Sequence, residues 1–444
     1  MYRRPRPQAR LLPALLMATI GLALLPDSAL GATLVDRASM RLQTSYLLKA
    51  SLTYATGTIS ATERITIKNI SGSTISKLNL SVMPRAFGEL VSIGSFSVDG
   101  RAVSAAWTNN ANLELQLGRN LADGESAVVS LGFKVRASDV IGTSLQGRFS
   151  KANGIMQVSH WFPIISDGHV ARYPGDSQYT RTAAKIRLEL TTDSDAVRIA
   201  APGVRISSSG RSHIYEMANT RDFAFGASPN YRAVWGTVGG VMVRAFYTTG
   251  DGSRGLGYAQ AAILKYEAAF GQYQWPTYTI AQTGRAGSGN EYPGIVFLGG
   301  TLFSNREIVA HETAHQWWYA MAGNDQMREP WLDEGLAEFA AGYFFGDLDG
   351  YVSTRPVNSR VYDFPNQPAS LTSSDPNSYD QTIYFKSARF LDGLRSRMGT
   401  TRFFDGLRAL FAANRNMVMT SQEFVDTMAR YGASRTYMAQ FISL

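Results

Sequence analysis

Two histidines and a glutamate lie close together in the chain, at His311, Glu312 and His315, and Glu334 follows after eighteen intervening residues. On an α-helix, positions four apart lie about 40° apart around the axis and one turn apart along it. Both imidazoles can therefore reach one metal ion, and Glu312 borders the same face. A catalytic zinc site needs three protein ligands and an open position for water. Because His311, His315 and Glu334 supply three such ligands, the spacing predicts a site for one Zn²⁺ ion.

The segment around the two histidines is predicted to be helical. The range Ser304–Glu307 has the pattern of a capping box, with Ser304 as the N-cap. A glycine follows residue 322, so the helix is expected to run from about 304 to 322. Pro330 suits a first helical turn and predicts a second helix that carries Glu334. A chance match or an ordinary charged helix face is the alternative, but two of the five histidines lie here.

The first 32 residues have the features of a secretory signal. Four arginines precede an apolar run from Leu11 to Leu25, and small residues follow at 28–32. The run falls short of the roughly 20 residues that a membrane span needs, so an uncleaved anchor is the weaker alternative. No other stretch is predicted to cross a bilayer. We therefore expect export, either to a periplasm or to the cell exterior.

The composition excludes several classes of function. The 444 residues suffice for two or three domains, and 45% hydrophobic residues support a sizeable core. The net charge of +8 is modest for this length, and no basic run with interleaved aromatic residues indicates nucleic-acid binding. The absence of cysteine excludes a thiolate nucleophile, a cysteine zinc site and a disulfide scaffold. Nothing in the composition indicates an oligomeric state.

Residues 33–235 are predicted to form a β-rich domain. Segments such as 64–68, 113–117 and 128–135 alternate apolar and polar residues with period two, and turn residues separate them. Short strands of this kind predict an antiparallel, sandwich-like domain.

Residues 236–444 have a mixed and then a helical pattern. A helix is predicted over Leu256–Phe270, ended by Gly271, and a second capping box at Thr420–Glu423 opens another. The predicted strands of this part are Gly240–Tyr247, Thr277–Gln282 and Gly294–Leu298.

The chain resembles the gluzincin aminopeptidases, the family of aminopeptidase N. The family's hallmark is His-Glu-x-x-His, the same eighteen-residue gap, and a glutamate within Trp-Leu-Asn-Glu-Gly; here Trp331–Gly335 carries Asp333 in place of the asparagine. Asp222–Phe225 resembles the last strand of the family's β-domain. The resemblance covers residue 40 to the end. It implies a multidomain α+β fold, in which an N-terminal antiparallel β-sandwich-like domain precedes a thermolysin-like catalytic domain that ends in a helical bundle.

The resemblance also implies roles for individual residues. His311, His315 and Glu334 would bind the zinc ion, and Glu312 would be the general base that takes a proton from the attacking water. The family places an oxyanion-stabilising tyrosine in a Tyr-x-Lys-Gly segment. Tyr384-Phe385-Lys386-Ser387 matches at the tyrosine and the lysine and departs at the serine. A core position for Tyr384 is the alternative.

Further carboxylates are candidates for supporting roles. The family's Gly-x-Met-Glu-Asn segment binds the substrate α-ammonium, and Ser288–Tyr292 keeps only its glutamate, at Glu291. A solvated loop residue is the alternative for Glu291. Glu338 follows Glu334 by one helical turn, and we hypothesise that it orients His311 by accepting its second N–H; a surface carboxylate is the alternative. His160 is expected to be structural.

The sequence favours an exported, zinc-dependent aminopeptidase that removes N-terminal residues from peptides. The altered neighbours of Glu291 leave open an endopeptidase or an atypical hydrolase with the same zinc site. A third hypothesis is a non-enzymatic surface peptide-binding protein, against which the intact metal ligands argue. Many family members continue with a large helical domain, whereas this sequence stops at Leu444. A less enclosed cleft that admits longer peptides is therefore expected.

Overall fold

The computed structural model describes residues 41–88, 90–139, 148–166, 182–287, 289–326, 329–346, 348 and 380–442. The predicted leader over residues 1–32 lies outside these ranges.

The first part of the described chain consists mainly of strands, with one short α-helix, α1 (Met83–Ala86). The strands are β1 (Leu42–Thr53), β2 (Thr58–Asn69), β3 (Ile75–Ser81), β4 (Val91–Val98), β5 (Arg101–Val103), β6 (Ala105–Trp107), β7 (Asn112–Leu121), β8 (Ser126–Arg136), β9 (Phe149–Ala152), β10 (Ile155–Val158), β11 (Ile164–Ser166), β12 (Ala183–Thr192), β13 (Arg198–Ala200), β14 (Val204–Ser209), β15 (Ser212–Thr220) and β16 (Phe225–Ser228).

An eight-stranded sheet with the order β14-β15-β12-β1-β2-β8-β4-β5 dominates this part. Along β2, buried and exposed residues alternate from Ile59 to Asn69, so one face packs into the core and the other meets solvent. Ile59, Ile65 and Ile67 are fully buried on the core face. Burying each such side chain contributes about 1.5–3 kcal/mol of hydrophobic stabilisation.

One pair of strands in this sheet is parallel. β1 lies antiparallel to β2 but parallel to β12, with Ser45 opposite Lys185 and Leu52 opposite Thr192. Parallel neighbours require a long connection, and here the intervening chain builds most of the other strands. The sheet is therefore mixed at this pair, whereas the sequence pattern predicted antiparallel pairing throughout. Alternation reports which face is buried, and it does not report strand direction.

Two four-stranded sheets complete the β-rich part, with the orders β13-β16-β10-β9 and β11-β3-β7-β6. The segment Asp222–Phe225 was predicted as a strand, but only Phe225 belongs to β16. The residues before Phe225 lie outside the strand, and the carbonyl of Phe223 accepts a hydrogen bond from the indole N–H of Trp161 at 3.0 Å. This bond ties β16 to the segment that precedes β11.

A five-stranded sheet opens the second part, with the order β17-β18-β19-β21-β20. Its strands are β17 (Arg232–Val238), β18 (Val241–Tyr247), β19 (Thr277–Thr283), β20 (Gly289–Tyr292) and β21 (Ile295–Gly299). β18, β19 and β21 are parallel, and β20 pairs antiparallel with β21 at the edge. The domain boundary predicted at residue 235 falls within β17, which pairs with β18.

Helices form the remainder of the described second part. They are α2 (Gly252–Phe270), α3 (Arg306–Ala314), α4 (Glu334–Phe345), α5 (Lys386–Met398), α6 (Thr400–Asn414), α7 (Ser421–Arg430) and α8 (Arg435–Met438). Short 3₁₀ helices span Tyr54–Thr56, Gly300–Ser304 and Pro330–Leu332, and a π-helix spans Asp380–Phe385.

Two predicted helix ends agree with the structure. α2 ends at Phe270, followed by Gly271 at a φ of 122°, which favours glycine. Thr420 and Glu423 form the predicted capping box of α7. Within the ranges that the structure describes, no helix combines the length and the apolar character needed to cross a membrane.

Candidate active site

The helix that contains His311, with His315 as its C-cap, starts one residue later than predicted. Asn305 is the N-cap of α3, and its side-chain oxygen accepts from the backbone N–H groups of Glu307 and Ile308 at 3.0 and 3.2 Å. Ser304 instead ends the preceding 3₁₀ helix, so its prediction as the N-cap was wrong. Asparagine and serine cap helices about equally well, so residue type alone does not decide between them. Because Ser304 belongs to the 3₁₀ helix that follows β21, Asn305 becomes the N-cap.

The same helix ends earlier than predicted, at Ala314 and not at residue 322. The carbonyl of His315 accepts from an amide five residues on, and Tyr319 has a φ of 131°. The side chain of Gln316 donates to the carbonyl of Tyr292 and accepts from the N–H of Gly294, at 3.0 and 2.8 Å. These bonds tie the chain after the helix to the sheet edge, and they replace a further α-helical turn.

The second helix supplies the carboxylate. Pro330 belongs to a 3₁₀ helix, so the prediction that it opens the helix of Glu334 was wrong. α4 begins at Glu334 itself, with Asp333 as its N-cap, whose carboxyl accepts from the Glu334 N–H at 2.9 Å. Asp333 also accepts from Gln326. Burial and the nearby Glu334 raise the pKa of Asp333 well above its ordinary value, which favours a neutral carboxyl close in shape to the family's asparagine.

The three predicted metal ligands converge on one point. Nε2 of His311 lies 3.2 Å from Nε2 of His315, and each nitrogen lies 3.2 Å from Oε2 of Glu334. Tetrahedral zinc with bonds of about 2.0–2.1 Å holds neighbouring ligand atoms about 3.3–3.4 Å apart. The spacing and the chemistry of the donors therefore fit one zinc ion.

The opposite nitrogen of each ring has an acceptor. Nδ1 of His311 lies 2.9 Å from Oε2 of Glu338, and Nδ1 of His315 lies 3.3 Å from the carbonyl of Trp318. Carbonyl and carboxylate oxygens accept hydrogen bonds, so each Nδ1 carries the proton and each Nε2 directs its lone pair toward the shared point. Glu338 is 7% exposed, which excludes the alternative of a surface carboxylate.

The environment of this triangle stabilises positive charge at the point that His311, His315 and Glu334 share. Burial opposes the charged form of His315, but Glu334 outweighs burial and raises the pKa of His315 to about 9. Burial likewise lowers the pKa of His311, yet Glu334 and Glu338 raise it well above its ordinary value. Burial would raise the pKa of Glu334, whereas the two imidazoles hold it well below its usual range. A divalent cation at the same point would supply this positive charge.

Glu312 lies beside the triangle and is 5% exposed. Burial raises its pKa to about 8, against the opposing effect of His311. A carboxylate that exchanges protons near neutral pH suits general base catalysis. A Cβ atom at Gly289 would lie 1.9 Å from Oε1 of Glu312, so the glycine makes room for this carboxylate. Sequence reasoning missed the contribution of Gly289, because nothing in the chain signals that these two positions meet.

Glu291 lies on the edge strand β20 and is 5% exposed, so it is not a solvated loop residue. Ligand atoms of Glu291, Glu312 and His315 all lie within 4.8 Å of one another. The structure therefore brings Glu291 to the same cleft as the metal ligands.

Tyr384 lies over the metal ligands. It belongs to the π-helix that leads into α5, and its half-buried ring stacks on that of His311 with 5.8 Å between centroids and 15° between planes. The departure from the family at Ser387 is accommodated by Gly335 of α4, where a Cβ would lie 2.4 Å from Cβ of Ser387. Close contact between α4 and the start of α5 thus positions Tyr384.

His160 is buried in the β-rich part. Its Nδ1 lies 3.1 Å from Oδ2 of Asp222, and its ring packs edge-on against Tyr292 at 5.2 Å. Tyr292 and Glu291 are neighbours on β20 and face opposite sides of the sheet. This placement agrees with the structural role expected for His160.

Comparisons with known proteins agree with this geometry. Residues 301–443 match the peptidase family M1 domain. Leucine aminopeptidase 2-1 of Meyerozyma guilliermondii is 24% identical over 199 residues, which are 39% of this chain and 31% of that protein. Leucine aminopeptidase 2 of Yarrowia lipolytica is 24% identical over 189 residues, 36% of this chain and 29% of that protein. The chain thus spans less than a third of the length of these relatives.

Solved structures share the fold over nearly the whole chain. The M1 zinc metallopeptidase from Deinococcus radiodurans has a TM-score of 0.66 at 16% identity, covering 92% of this chain and 96% of that chain. A mutant of it bound to a Tyr-Ser-Ala substrate has a TM-score of 0.67 at 17% identity, with 92% and 97% covered. The two-part α+β fold predicted from the sequence is confirmed.

Proposed function

We propose that the protein is a zinc-dependent aminopeptidase that hydrolyses the N-terminal residue from peptides, because residues 301–443 match the peptidase family M1 domain. The observation that carries this proposal is the triangle of 3.2 Å sides formed by His311, His315 and Glu334, with Glu312 beside it. A protein of the same fold was solved with a Tyr-Ser-Ala substrate, which supports short peptides as the substrate class.

The proposed mechanism assigns one task to each side chain. His311, His315 and Glu334 would hold a zinc ion, which would supply Lewis acidity to the reaction. Glu312 takes a proton from the attacking water and passes it to the departing amine as the C–N bond breaks. The Tyr384 hydroxyl donates to the developing oxyanion. Glu291 binds the α-ammonium of the substrate and fixes which peptide bond reaches the cleft.

Replacing Glu312 tests the proposed base. The Glu312→Gln variant should keep its zinc, because the ligand triangle is intact, and should lose turnover by at least about 10²–10⁴-fold. Zinc content and hydrolysis of a fluorogenic amino-acid amide are the two measurements. Glu189→Gln, a change on the eight-stranded sheet, serves as the control and should keep full turnover. Unchanged turnover in Glu312→Gln would refute the proposed role.

Substrates with and without a free amine distinguish an aminopeptidase from an endopeptidase. The wild-type protein should cleave a peptide with a free N-terminus and reject its N-acetylated form, because Glu291 favours a cation over a blocked end. In Glu291→Gln this preference should shrink, mainly through a higher KM for the free-amine peptide. Equal cleavage of both peptides by the wild type would favour the endopeptidase. Zinc binding without any hydrolysis across an amino-acid amide panel would favour the non-enzymatic hypothesis.

We also propose that the protein is exported, with the signal ending near residue 32. The arginine-rich start and the short apolar run of the sequence support this. N-terminal sequencing of protein recovered outside the cytoplasm should show a chain that starts after the leader, and an intact Met1 there would contradict it.

A further inference from the structure

A groove in the β-rich part lies between the large sheet and one of the four-stranded sheets. Its volume is about 470 Å³, within the roughly 300–1,000 Å³ of typical ligand-binding clefts. None of the described residues that line it belongs to the candidate active site. The apolar part of the lining comes from β4 to β7 and includes Val91, Ile93, Phe96, Val103, Trp107 and Leu113. Arg85 of α1 is the charged residue among the described residues of the lining.

The apolar core is incompletely covered at this groove. Val91 and Ile93 pair with Val135 and Phe133 of β8, so all four side chains point to the core side of the sheet. Val135 and Phe133 are buried, whereas Val91 and Ile93 are only partly buried, and Trp107 is 38% exposed. Covering such side chains with an apolar ligand removes their surface from water, which favours binding.

Unpaired strand edges border the same groove. β4 pairs with β8 from Val91 to Val98, but β5 on its other side pairs with it only from Phe96 to Val98. Among the described residues, the half of β4 that contains Val91 and Ile93 therefore has an open edge. β6 is the last strand of its own sheet and has a second open edge. The backbone N–H and C=O groups of an open edge can pair with an extended peptide.

Arg85 supplies positive charge at one end of β4. The N–H of Leu90 donates to the carbonyl of Pro84 at 3.0 Å, which holds Arg85 beside the start of this strand. The guanidinium of Arg85 lies over the ring of Trp107, 4.0 Å from its centroid, and donates to the carbonyl of Asn109 at 3.4 Å. Stacking occupies the face of the guanidinium and leaves N–H groups at its edge. A carboxylate binds such an edge through two parallel hydrogen bonds.

We propose that this groove binds the C-terminal end of an extended, apolar peptide, at a site separate from the proposed active site. The peptide backbone pairs with the open edge of β4, alternate apolar side chains cover Val91 and Ile93, and the terminal carboxylate binds Arg85. A fatty acid also offers a carboxylate and an apolar chain. It has no backbone groups for a strand edge, so the open edges favour the peptide. The inference does not depend on the proposed function.

Fluorescence anisotropy with a labelled probe peptide tests the proposal. The probe has valine at alternate positions and a free C-terminal carboxylate, and a fluorescein label blocks its N-terminal amine. A second probe differs only in having a C-terminal amide. The wild type should bind the carboxylate probe at least about tenfold more tightly, because the amide lacks the charge-assisted bond to Arg85. Zinc-free and zinc-loaded protein should bind it equally, because the groove lies apart from the ligand triangle.

Two arginine variants test which side chain recognises the carboxylate. Arg85→Gln should bind both probes equally, because it lacks the guanidinium that distinguishes them. Arg101→Gln is the matched control and should keep the wild-type preference, since Arg101 is an exposed residue of β5 that does not line the groove. Urea unfolding verifies that both variants are folded, and the comparison of the two probes on the wild type depends on neither variant.

A change in the probe tests the pairing with the strand edge. Methylation of alternate backbone amide nitrogens removes the donors that the edge of β4 requires, so the methylated probe should lose its binding. Full binding of this probe would contradict the pairing of the peptide with β4.

The remaining outcomes separate the groove from other sites and ligands. A wild type that binds neither probe, or both equally, overturns the proposal, and so does a carboxylate preference that persists in Arg85→Gln. Decanoate that displaces the probe as well as the unlabelled peptide does would assign the groove to a fatty acid and overturn the peptide. Binding that disappears on removal of zinc would place the probe in the active site, which overturns the groove and leaves the proposed function standing.

Discussion

Each of the two histidine rings is fixed by the atom that its Nδ1 faces. Glu338 lies 2.9 Å from one ring and the Trp318 carbonyl 3.3 Å from the other. The carbonyl belongs to the irregular segment after α3, so its position depends on the backbone alone. Glu338 is a side chain of α4 and can be changed without altering the backbone. Its contribution to metal binding is therefore the one that mutation can isolate.

Glu338→Ala should lower the affinity for zinc by about 10–100-fold, the range typical for acceptors that orient a metal-bound histidine. The physical reason is that His311 loses the partner that fixes its tautomer and ring orientation. Competition with a chelator of known affinity measures the change. Glu338→Gln retains a carbonyl oxygen that can accept the same N–H and should recover part of the loss. Equal zinc affinity in all three proteins would exclude an orienting role.

Two of the three glycines in helix α2 have opposite surroundings. A Cβ at Gly255 would lie 2.6 Å from a ring carbon of Phe303 and 2.9 Å from its carbonyl oxygen, whereas nothing lies within 4 Å of one at Gly257. Phe303 belongs to the 3₁₀ helix directly before α3, so Gly255 sets how closely α2 approaches the histidine helix.

Gly257→Ala should stabilise the fold by about 0.5–1 kcal/mol, because alanine loses less backbone entropy than glycine in a helix. Gly255→Ala should destabilise it by about 1–3 kcal/mol through overpacking against Phe303. Urea unfolding of both variants at one zinc concentration gives the two values. Since the residues lie on the same helix, helix propensity cannot explain opposite signs. Changes of the same sign in both variants would contradict the packing argument.

The sequence predicted elements well wherever local chemistry decides them. The alternation along β2, the glycine that ends α2 and the capping box of α7 act within a few residues, and the structure has all three. The histidine helix shows where such reasoning stops. Its end at Ala314 depends on bonds from Gln316 to Tyr292 and Gly294, which are distant in sequence. Local propensity contains no information about partners of that kind.

The same distinction applies to the site. The ligand triangle follows from a helical spacing of four and one distant glutamate, so the sequence alone predicts it. The contacts of Gly289 with Glu312 and of Gly335 with Ser387 depend on how separate elements pack. They are visible only once the fold is known.

The core of the large sheet contains one carboxyl group that the proposed chemistry does not use. Glu63 lies on the buried face of β2, is 2% exposed, and neither of its carboxylate oxygens has a hydrogen-bond partner among the described residues. Burial raises the pKa of Glu63 well above its ordinary value. At pH values below the pKa that Glu63 has in the unfolded chain, this side chain is protonated in both the folded and the unfolded protein. Its ionisation then has no effect on the free energy of unfolding. Above that pKa, only the unfolded chain ionises readily, and stability falls as the pH rises.

Glu63→Gln should remove this dependence. The difference in unfolding free energy between variant and wild type should grow by about 1.4 kcal/mol per pH unit above the unfolded pKa, until the folded pKa is reached. Urea unfolding at several values between about pH 5 and pH 7 measures it. The Glu125→Gln variant changes an exposed carboxylate. Its free energy of unfolding should depend on pH in the same way as that of the wild type. The same pH dependence in Glu63→Gln would mean that Glu63 is ionised in the folded state.

The parallel pairing of β1 with β12 has a consequence for how the chain reaches its native form. Ser45 lies opposite Lys185, so β1 lacks one of its two neighbours until the ribosome has produced β12. Contacts between such distant segments slow folding, because a long loop must close before they form. During this interval the backbone groups along one edge of β1 lack their native partners. A late-closing sheet of this kind would suit the export that we propose, because an exported chain must stay unfolded until it has crossed a membrane.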